Sequence, residues 1–378
     1  MIYLDYNATT PVDREVAAAM MPFIKEKWGN PSSSHQIGRE ARAAVEMARG
    51  QVAGLLKCST QGVVFTSGGT ESNNAALKGV AHALRKKGRH IITSGIEHPS
   101  ILQSAIFLME NGWEVSFLPV DSNGMVDPDD VRRAVRKDTV LISIMHANNE
   151  TGTIQHISEI GAIARARGIY FHSDAAQSVG KVETYVEDMG VDFLTVAGHK
   201  VYAPKGIGAL YIREGAALEP LLHGAGQEGG RRAGTENVIL AAALGAACEI
   251  AGRRLYDDAD RQRRLRDQLF EGIVSEIPDV VLNGHRDKKL SNTLNIAFPG
   301  LVGGEILAGI PGLCASTGAA CHDRSVTLSH VLAAMGVPKE VGMGAIRLTV
   351  GRYTTEEEIH QAASWIVAAV KKTKRRSY

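Results

Sequence analysis

Cysteine is scarce in this chain of 378 residues, which has four: Cys58, Cys248, Cys314 and Cys321. They show no C-x2-C spacing typical of a zinc site, and no paired histidines stand beside them. A chain of this length buries a large core without cross-links, so disulfides are not needed. The scarcity argues against a disulfide-stapled fold and against a structural zinc site, and we expect no metal cofactor.

Net charge and long apolar runs are also lacking. Lys and Arg total 42 against 41 Asp and Glu, and the net charge of +1 gives no reason to expect nucleic acid or an anionic membrane as partner. No uninterrupted apolar run reaches transmembrane length. The N-terminal stretch lacks the layout of a signal peptide, and Asp5, Asp13 and Glu15 argue against a transit peptide. We expect a cytoplasmic protein that acts on a small molecule, with export by another route left open.

Short apolar runs alternate with amphipathic segments between residues 62 and 213. Seven such runs are typical of strands, and helical patterns separate several of them, among them ISEIGAIARARG, which ends at Gly168. Apolar strands without polar alternation are typical of a mostly parallel sheet that helices cover on both faces. The pattern predicts an α/β fold with a seven-stranded sheet.

A second unit follows Gly234. Residues 235–277 form one long helical pattern, which we expect to be kinked or broken near Gly252. NTLNIAF and AIRLTVG are typical of strands, and the closing helix TTEEEIHQAASWIVAAVKK opens with the residues of a capping box. The C-terminal part of the chain is therefore predicted to be a smaller α+β unit.

Two glycine motifs point to functions that their context excludes. GAGQEG, residues 224–229, matches the G-x-G-x-x-G fingerprint, but it neither follows a strand nor opens a hydrophobic helix, which argues against a nicotinamide cofactor. SGGTESNN lacks the G-K-[ST] ending of a P-loop, which argues against nucleoside triphosphate hydrolysis.

Three strand ends carry residue types that suit one phosphate cofactor. In FTSGGTESNN, Gly68 and Gly69 allow a tight turn and Thr70 opens a helix, whose N–H groups and dipole favour a phosphate. Asp174 ends the strand of FHSDAAQ, and Lys200 follows the strand of LTVAGHK. Taken singly, these are equally a glycine turn, a helix cap and a solvated lysine. Together they match pyridoxal phosphate, which needs a phosphate site, a carboxylate at its pyridine nitrogen and a lysine at its aldehyde.

Nine stretches spread along nearly the whole chain carry a family resemblance: YLDYNATTP, WGNPSS, TSGGTESNN, IEHPSI, HANNETGT, HSDAAQSVGK, GHKVYAPKGIGALYIR, RAGTEN and IRLTVGRYTT. The chain closely resembles the cysteine desulfurases and selenocysteine lyases, class-V aminotransferase-like enzymes that use pyridoxal 5'-phosphate. The resemblance implies a homodimer of fold type I with its active site at the subunit interface. It also implies a large cofactor-binding domain, residues 13–254, and a small domain, residues 1–12 and 255–378, which carries a cysteine loop at residues 314–330.

The resemblance assigns roles around the cofactor ring. Lys200 is implied to form the Schiff base and to act as the catalytic base, and Asp174 to partner the pyridine nitrogen. Gln177 would donate a hydrogen bond to the ring oxygen. His98 would stack on the ring and move protons, and Asn149 would contact both cofactor and substrate.

Phosphate and substrate ligands follow from the same resemblance. Gly69, Thr70 and His199 are implied to hold the phosphate, with Thr235 reaching across from the other subunit. Arg347 matches the arginine that clamps the substrate carboxylate, a task suited to a bidentate guanidinium. Arg352 is expected to be structural support.

One position departs from the family pattern. Many desulfurases have a serine that donates to the phosphate two residues before the His-Lys pair, and this chain has Ala197 there. A phosphate donor is therefore missing, and Thr195 or a water is the expected substitute.

The cysteines separate by their surroundings. Cys58 and Cys248 are expected to be packing residues, because free cysteine behaves as a small hydrophobic residue. In LCASTGAACHDRS, Cys321 aligns with the family's reactive cysteine on a small-residue loop, and Cys314 is expected to pack in a strand. The local sequence around Cys321 resembles that of selenocysteine lyases more than that of the desulfurases that supply iron–sulfur cluster assembly.

The resulting expectation is a selenocysteine lyase that releases selenium, and sulfur as a second activity, from L-selenocysteine or L-cysteine to give L-alanine. The alternative is a cysteine desulfurase that forms a persulfide on Cys321 for iron–sulfur cluster or thio-cofactor biosynthesis. Either enzyme implies a selenium or sulfur acceptor protein as partner. A non-catalytic scaffold and an aminotransferase are the rival hypotheses. The scaffold is disfavoured by the presence of Lys200, Asp174, Cys321 and Arg347.

Overall fold

The computed structural model describes residues 1–317 and 327–376. In this part of the chain the strands are β1 (Ile2–Tyr3), β2 (Val63–Thr66), β3 (His90–Ser94), β4 (Glu114–Leu118), β5 (Thr139–Ser143), β6 (Tyr170–Asp174), β7 (Phe193–Ala197), β8 (Gly208–Ile212), β9 (Val281–Leu282), β10 (Thr293–Ala297), β11 (Leu313–Cys314) and β12 (Ala345–Thr349). The α-helices are α1 (Arg14–Lys25), α2 (Gln36–Leu56), α3 (Gly69–Leu84), α4 (Pro99–Glu110), α5 (Pro128–Ala134), α6 (Ile157–Arg167), α7 (Val186–Met189), α8 (Val238–Val274), α9 (Gly303–Ala308), α10 (His330–Ala334), α11 (Lys339–Gly342) and α12 (Glu356–Arg376). Short 3-10 helices cover Thr60–Gly62, Gly198–Lys200 and Gln227–Gly230.

Seven strands form the main sheet, in the order β2-β8-β7-β6-β5-β3-β4. The strands from β7 through β6, β5 and β3 to β4 pair in parallel, whereas β8 pairs antiparallel with both β7 and β2. Every residue of β2, β3, β5, β7 and β8 is buried, as expected for strands covered on both faces. The prediction of an α/β fold with a mostly parallel seven-stranded sheet is confirmed.

Successive residues of a strand belong to different apolar clusters, one on each face of the sheet. Phe65 and Ile142 belong to the cluster that includes residues of α2, α6 and the first half of α8. Val64 and Leu141 belong to the cluster that includes residues of α3 and α4. Because neighbouring side chains of a strand point to opposite faces, helices cover both faces and leave the strand ends open for a ligand.

Residues from both ends of the chain build another apolar cluster. β9, β10 and β12 form an antiparallel sheet, and β1 pairs in parallel with β11. Ile2 and Leu4 pack in this cluster with side chains of that sheet, of α12 and of the second half of α8. The division into residues 13–254 and residues 1–12 with 255–378 is a proposal that this distribution of clusters supports.

The helix ends agree with the sequence patterns, whereas the interior of α8 does not. Gly168 ends α6 in the left-handed conformation, with a φ of 62°. Thr355 and Glu358 cap α12 reciprocally: the Thr355 N–H donates to Glu358 Oε2 at 3.0 Å, and the Glu358 N–H donates to Thr355 Oγ1 at 3.2 Å. The expected break near Gly252 is wrong, because α8 is continuous over 37 residues. One glycine costs a helix about 1 kcal/mol, which packing of α8 along α1 and α2 outweighs.

Of the helices in residues 1–317 and 327–376, none has the length and apolar content needed to cross a membrane.

Candidate active site

A cavity of about 710 Å³ opens at the carboxyl ends of β6 and β7, beside the first turns of α3 and α4. This edge of a parallel sheet is where open α/β folds bind ligands. Residues predicted as site residues line it as follows: Gly69, Thr70, His98, Asn149, Asp174, Gln177, His199, Lys200 and Arg347. The fold therefore brings together side chains from both sequence units.

The first turn of α3 offers N–H groups to an anion. Its N-cap, Gly68, has a φ of 148°, in the region that favours glycine, and makes no side-chain cap. A Cβ atom at Gly208 on β8 would lie 2.7 Å from the Cα atom of Gly68, so the two backbones are in close approach. The carboxylate of Glu71 is already engaged, because it pairs with Arg232 and accepts the Ser67 N–H at 2.8 Å. The uncapped helix start suits a phosphate group.

The position of the missing donor, Ala197, lies in the wall of this cavity. Thr195 does not replace it, because Thr195 is fully buried and its Oγ1 lies 3.1 Å from His172 Nε2. The Thr195 side chain turns its methyl group toward Gly69, where an added Cβ would lie 3.7 Å from Cγ2. The expectation that Thr195 donates to the phosphate is therefore wrong.

A positively charged side chain also lines the cavity that contains Ala197. Lys205, an exposed residue, also lines the cavity. Burial, followed by the charges of Lys200 and Lys205, lowers the pKa of His199 to about 4, so the imidazole is neutral at pH 7. His199 Nδ1 lies 3.3 Å from Thr9 Oγ1. The Lys205 ammonium is thus a cation that a phosphate could meet in place of a serine hydroxyl.

Asp174, at the end of β6, is 5% exposed and holds a defined network. Its Oδ1 accepts the Ala176 N–H at 2.9 Å, and its Oδ2 accepts Asn73 Nδ2 at 2.7 Å. The same Asn73 nitrogen lies 2.8 Å from the Ser100 hydroxyl. A carboxylate at this strand end is thereby fixed in the cavity wall.

His98 is both the N-cap of α4 and a wall residue of the cavity. The Ser100 N–H donates to His98 Nδ1 at 3.1 Å, and the Ser100 hydroxyl lies 2.8 Å from the same nitrogen. Because an N–H can only donate, Nδ1 is an acceptor and the neutral ring carries its proton on Nε2. Burial lowers the pKa of His98, which favours this neutral form.

Lys200 lies in the 3-10 turn after β7. Its Nζ donates to the backbone carbonyls of Asn7 and Ala8, the second at 2.8 Å. Burial, followed by the charge of Arg347, lowers the pKa of Lys200 to about 8. An amine with a pKa this close to neutrality has a substantial neutral fraction and can act as a nucleophile or base.

Arg347 lies on β12 and reaches the cavity from the small unit, where it is 6% exposed. Its Nη2 lies 2.9 Å from Asp5 Oδ1, and its Nη1 donates to the Asn149 carbonyl at 2.9 Å. Its Nε is buried without a partner among the described residues. The guanidinium therefore keeps an unused donor, as binding of a further carboxylate would require.

Asn7 and Lys181 also belong to this network and were not predicted from the sequence. The Asn7 carbonyl accepts Gln177 Nε2 at 3.0 Å as well as Lys200 Nζ, and its Nδ2 donates to the Asn149 carbonyl at 3.3 Å. Lys181 Nζ donates to Gln177 Oε1 at 3.1 Å and to Asn7 Oδ1 at 3.3 Å. Both residues lie inside the motifs YLDYNATTP and HSDAAQSVGK. Their position inside these motifs, as polar residues, was the signal that could have identified them as site residues.

Thr235 is the predicted site residue that the structure places beside the main cavity and not in its lining. It lines a neighbouring cavity of about 270 Å³, which shares Ser67, Gly206 and Ile207 with the main one. Cys321 lies outside the described residues. No group of three or more His, Cys, Asp or Glu side chains in the described ranges could hold a metal ion.

The remaining cysteines have ordinary structural surroundings. Cys248, 1% exposed, packs in the core and Cys58 against it, so both packing predictions are confirmed. Burial raises the pKa of the Cys58 thiol to about 11 and that of Cys248 to about 12, which makes both poor nucleophiles. Cys314 ends β11, as the strand prediction required, and is partly buried.

The cavity fits pyridoxal phosphate on the chemistry of its donors and acceptors. An uncapped helix start suits the phosphate, the Asp174 carboxylate suits a pyridinium nitrogen, and the Lys200 amine suits the aldehyde. The unpartnered Nε of Arg347 suits a substrate carboxylate.

Comparisons with known proteins agree with this fit. The family model Aminotransferase class-V matches residues 2–361. A protein of Dictyoglomus turgidum named cysteine desulfurase IscS is 50% identical over 361 residues, which are 95% of this chain and 92% of that protein. A solved structure described as a NifS-like protein is 38% identical with a TM-score of 0.92, covering 98% of this chain and 99% of its own. Another, described as SspA in complex with cysteine, is 37% identical with a TM-score of 0.83, covering 94% and 100%.

Proposed function

We propose that this chain releases sulfur from L-cysteine, since it belongs to the class-V aminotransferase family and, within it, to the pyridoxal phosphate-dependent cysteine desulfurases. The observation that carries the proposal is the convergence of Lys200, Asp174 and Arg347 on one cavity. L-Alanine is the second product. A solved relative that is 37% identical is described as a complex with cysteine, which supports cysteine as the substrate.

The predicted preference for selenocysteine finds no support among the relatives, which are named cysteine desulfurases. The alternative from the sequence, a desulfurase that uses Cys321, fits them better. We therefore place selenocysteine second, as a substrate that the same site can process.

The cavity residues have separate tasks in this proposal. Bound pyridoxal phosphate supplies an electron sink for the α-carbon of the substrate. Arg347 binds the substrate carboxylate through its guanidinium, which lines the cavity and keeps Nε without a partner among the described residues. Lys200 Nζ would hold the cofactor aldehyde, and its amine, whose pKa burial lowers to about 8, would serve as the base for the α-proton of the substrate.

The other predicted ligands complete the binding site. Asp174, held by its hydrogen bond from Asn73, would keep the pyridine nitrogen protonated. His98 would stack on the ring and present its Nε2 proton. Gln177 would donate to the ring oxygen, and Asn149 would contact ring and substrate. Gly69, Thr70 and His199 bind the phosphate, and Lys205 supplies charge in place of a serine at residue 197.

In this proposal the substrate sulfur is transferred to Cys321. The Cys321 thiolate attacks the substrate sulfur, so that a sulfur–sulfur bond forms and the bond from sulfur to the β-carbon breaks. The electron pair of the broken bond goes to the alanine fragment, which takes up a proton, and Cys321 keeps the sulfur as a persulfide. A sulfur acceptor protein then removes it. A homodimer in which Thr235 completes the partner's phosphate site, and a cytoplasmic location, remain predictions.

The test is to measure alanine and protein-bound persulfide formed from L-cysteine by the wild type, Cys321→Ala and the matched control Cys314→Ala. We expect Cys321→Ala to lose at least 99% of alanine release from cysteine and all persulfide, because Cys58, Cys248 and Cys314 do not line the cavity. Cys314→Ala should stay within twofold of the wild type. Full activity of Cys321→Ala would contradict the nucleophile assignment. Turnover of selenocysteine without measurable turnover of cysteine would restore the selenocysteine lyase.

A further inference from the structure

Lys181 is a partly buried lysine that the proposed reaction leaves without a task. It does not line the cavity but lies behind Gln177, which does. Gly180 places it there, because its φ of 74° turns the chain back and a Cβ on it would lie 2.9 Å from the Ala251 Cβ. The turn brings the Lys181 ammonium group within hydrogen-bonding distance of a residue four positions earlier.

The contacts of Lys181 determine how the Gln177 amide is oriented. A backbone carbonyl can only accept, so the amide atom 3.0 Å from the Asn7 oxygen must be the nitrogen Nε2, and the atom 3.1 Å from Lys181 Nζ is then the oxygen Oε1. The amide nitrogen Nε2 then lies on the other side, where it donates one proton to the Asn7 carbonyl at 3.0 Å. The second Nε2 proton has no partner assigned to it by these contacts, and Gln177 lines the cavity.

The surroundings of Lys181 disfavour its charged form, which argues against a role in packing alone. Burial, followed by the charges of Lys200 and Arg347, lowers its pKa to about 7. Its hydrogen-bond partners are the side-chain oxygens of Gln177 and Asn7, both neutral. No ion pair of Lys181 with a carboxylate exists among the described residues that could offset this cost. Simple packing would be served better by an apolar side chain.

We propose that Lys181 is a positioning residue that holds the Gln177 amide with its N–H donor, rather than its carbonyl oxygen, facing the cofactor ring oxygen. The inference rests on the proposed role of Gln177 in the cofactor site. Lys181 touches neither cofactor nor substrate and acts through Gln177. Asn7 contributes to the same positioning, because its Oδ1 accepts a hydrogen bond from Lys181 Nζ and its carbonyl accepts one from Gln177 Nε2.

The variant Lys181→Met keeps the length of the side chain and removes the donor. Without Lys181, Gln177 Oε1 loses its donor and the amide is held only by the bond from Nε2 to the Asn7 carbonyl, so its N–H is less firmly directed at the ring oxygen. We expect the dissociation constant of pyridoxal phosphate, measured by titrating the apoprotein and following fluorescence, to rise about tenfold, as loss of one hydrogen bond implies. The pH midpoint of the visible absorption band of the bound cofactor should rise by about one unit, because the ring oxygen loses a donor and a nearby charge.

Three controls make the test specific. Lys181→Arg and Lys181→Gln both retain a donor and should stay within threefold of the wild-type dissociation constant. Lys87→Met, on an exposed lysine outside the cavity, should match the wild type in both measurements. Thermal unfolding of each apoprotein shows whether a variant is folded. If the methionine variant is not folded, a more than threefold loss of cofactor affinity in both folded donor-retaining variants would overturn the proposal.

The background Gln177→Ala separates the inference from the proposed function. Gln177→Ala alone should weaken cofactor binding, and Lys181→Met added to it should change the dissociation constant less than twofold. A Gln177→Ala variant with wild-type affinity would overturn the proposed role of Gln177 itself. If Gln177→Ala weakens binding but Lys181→Met does not, or if Lys181→Met has its full effect without Gln177, only the positioning role is wrong.

Discussion

Arg352→Met is expected to lower the free energy of unfolding by about 4 kcal/mol. Arg352 follows β12 and joins two buried carboxylates: its Nη1 lies 2.7 Å from Asp13 Oδ2 and its Nε lies 3.0 Å from Asp258 Oδ2. The guanidinium carbon lies 4.2 Å from the ring centroid of Tyr202. Asp13 caps α1 and Asp258 lies in the middle of α8, so the guanidinium connects three distant segments. This arrangement agrees with the structural role expected for Arg352.

The magnitude follows from what the variant leaves behind. Removing one member of a buried ion pair costs about 3–5 kcal/mol, because the remaining charge is uncompensated. Both carboxylates keep weaker partners: Asp13 accepts from the Glu15 N–H and the Tyr353 hydroxyl, and Asp258 from Arg254. These partners moderate the loss, whereas the lost contact with the Tyr202 ring adds about 0.5–1 kcal/mol.

The measurement is urea unfolding of the holoenzyme, followed by circular dichroism. Arg254→Met is the matched control, because Arg254 also pairs with Asp258 but its side chain is 50% exposed, and its loss should cost less than about 1 kcal/mol. Converting both carboxylates to amides, as Asp13→Asn and Asp258→Asn, should recover at least half of the stability lost in Arg352→Met. Arg352 lies outside the cavity lining, so kcat should change less than twofold. A loss below about 1 kcal/mol, or no recovery with the amides, would refute the reasoning.

Two further outcomes are expected. Burial raises the pKa of Glu97 to about 8, and an acid with a raised pKa stabilises the fold while protonated, so wild-type stability should decline as pH rises from 5 through 8. Glu97→Gln should lack that decline in urea midpoints measured from pH 5 to 9, and parallel profiles would contradict the assignment. Asn73→Ala removes the side-chain donor of Asp174 and should raise the dissociation constant of pyridoxal phosphate about tenfold, whereas the control Asn74→Ala, whose amide bonds a backbone carbonyl, should not.

Much of the candidate site could be predicted because its ligands lie in short segments. Asp174 and Lys200 each follow a recognisable apolar strand, and Gly69 and Thr70 follow another. Parallel strands that end at one edge of a sheet bring such residues together without knowledge of the rest of the fold. Thr195 shows the limit, because only the partner His172 decides which way its hydroxyl turns.

Residues that work through distant contacts could not be predicted. Asn7 bonds Thr293, 286 residues away, and Thr349, 342 residues away, and nothing in its neighbourhood indicates either partner. The expected break at Gly252 failed for a related reason. Local helix propensity disfavours glycine, but the packing of α8 on α1 and α2 is a long-range term that the local pattern does not contain.

The alternation of strands and helices, the balance of charge and the chemical groups at strand ends can be read from neighbouring residues in the sequence. The environment of each group depends on the folded chain. The fold buried Lys200 beside Arg347, which lowers the lysine pKa to about 8, and it left Arg347 Nε without a partner among the described residues. It also brought Lys181 behind Gln177 and Asn7 against both. A pKa and the orientation of an amide depend on the surrounding charges and donors, and only the folded chain assembles those.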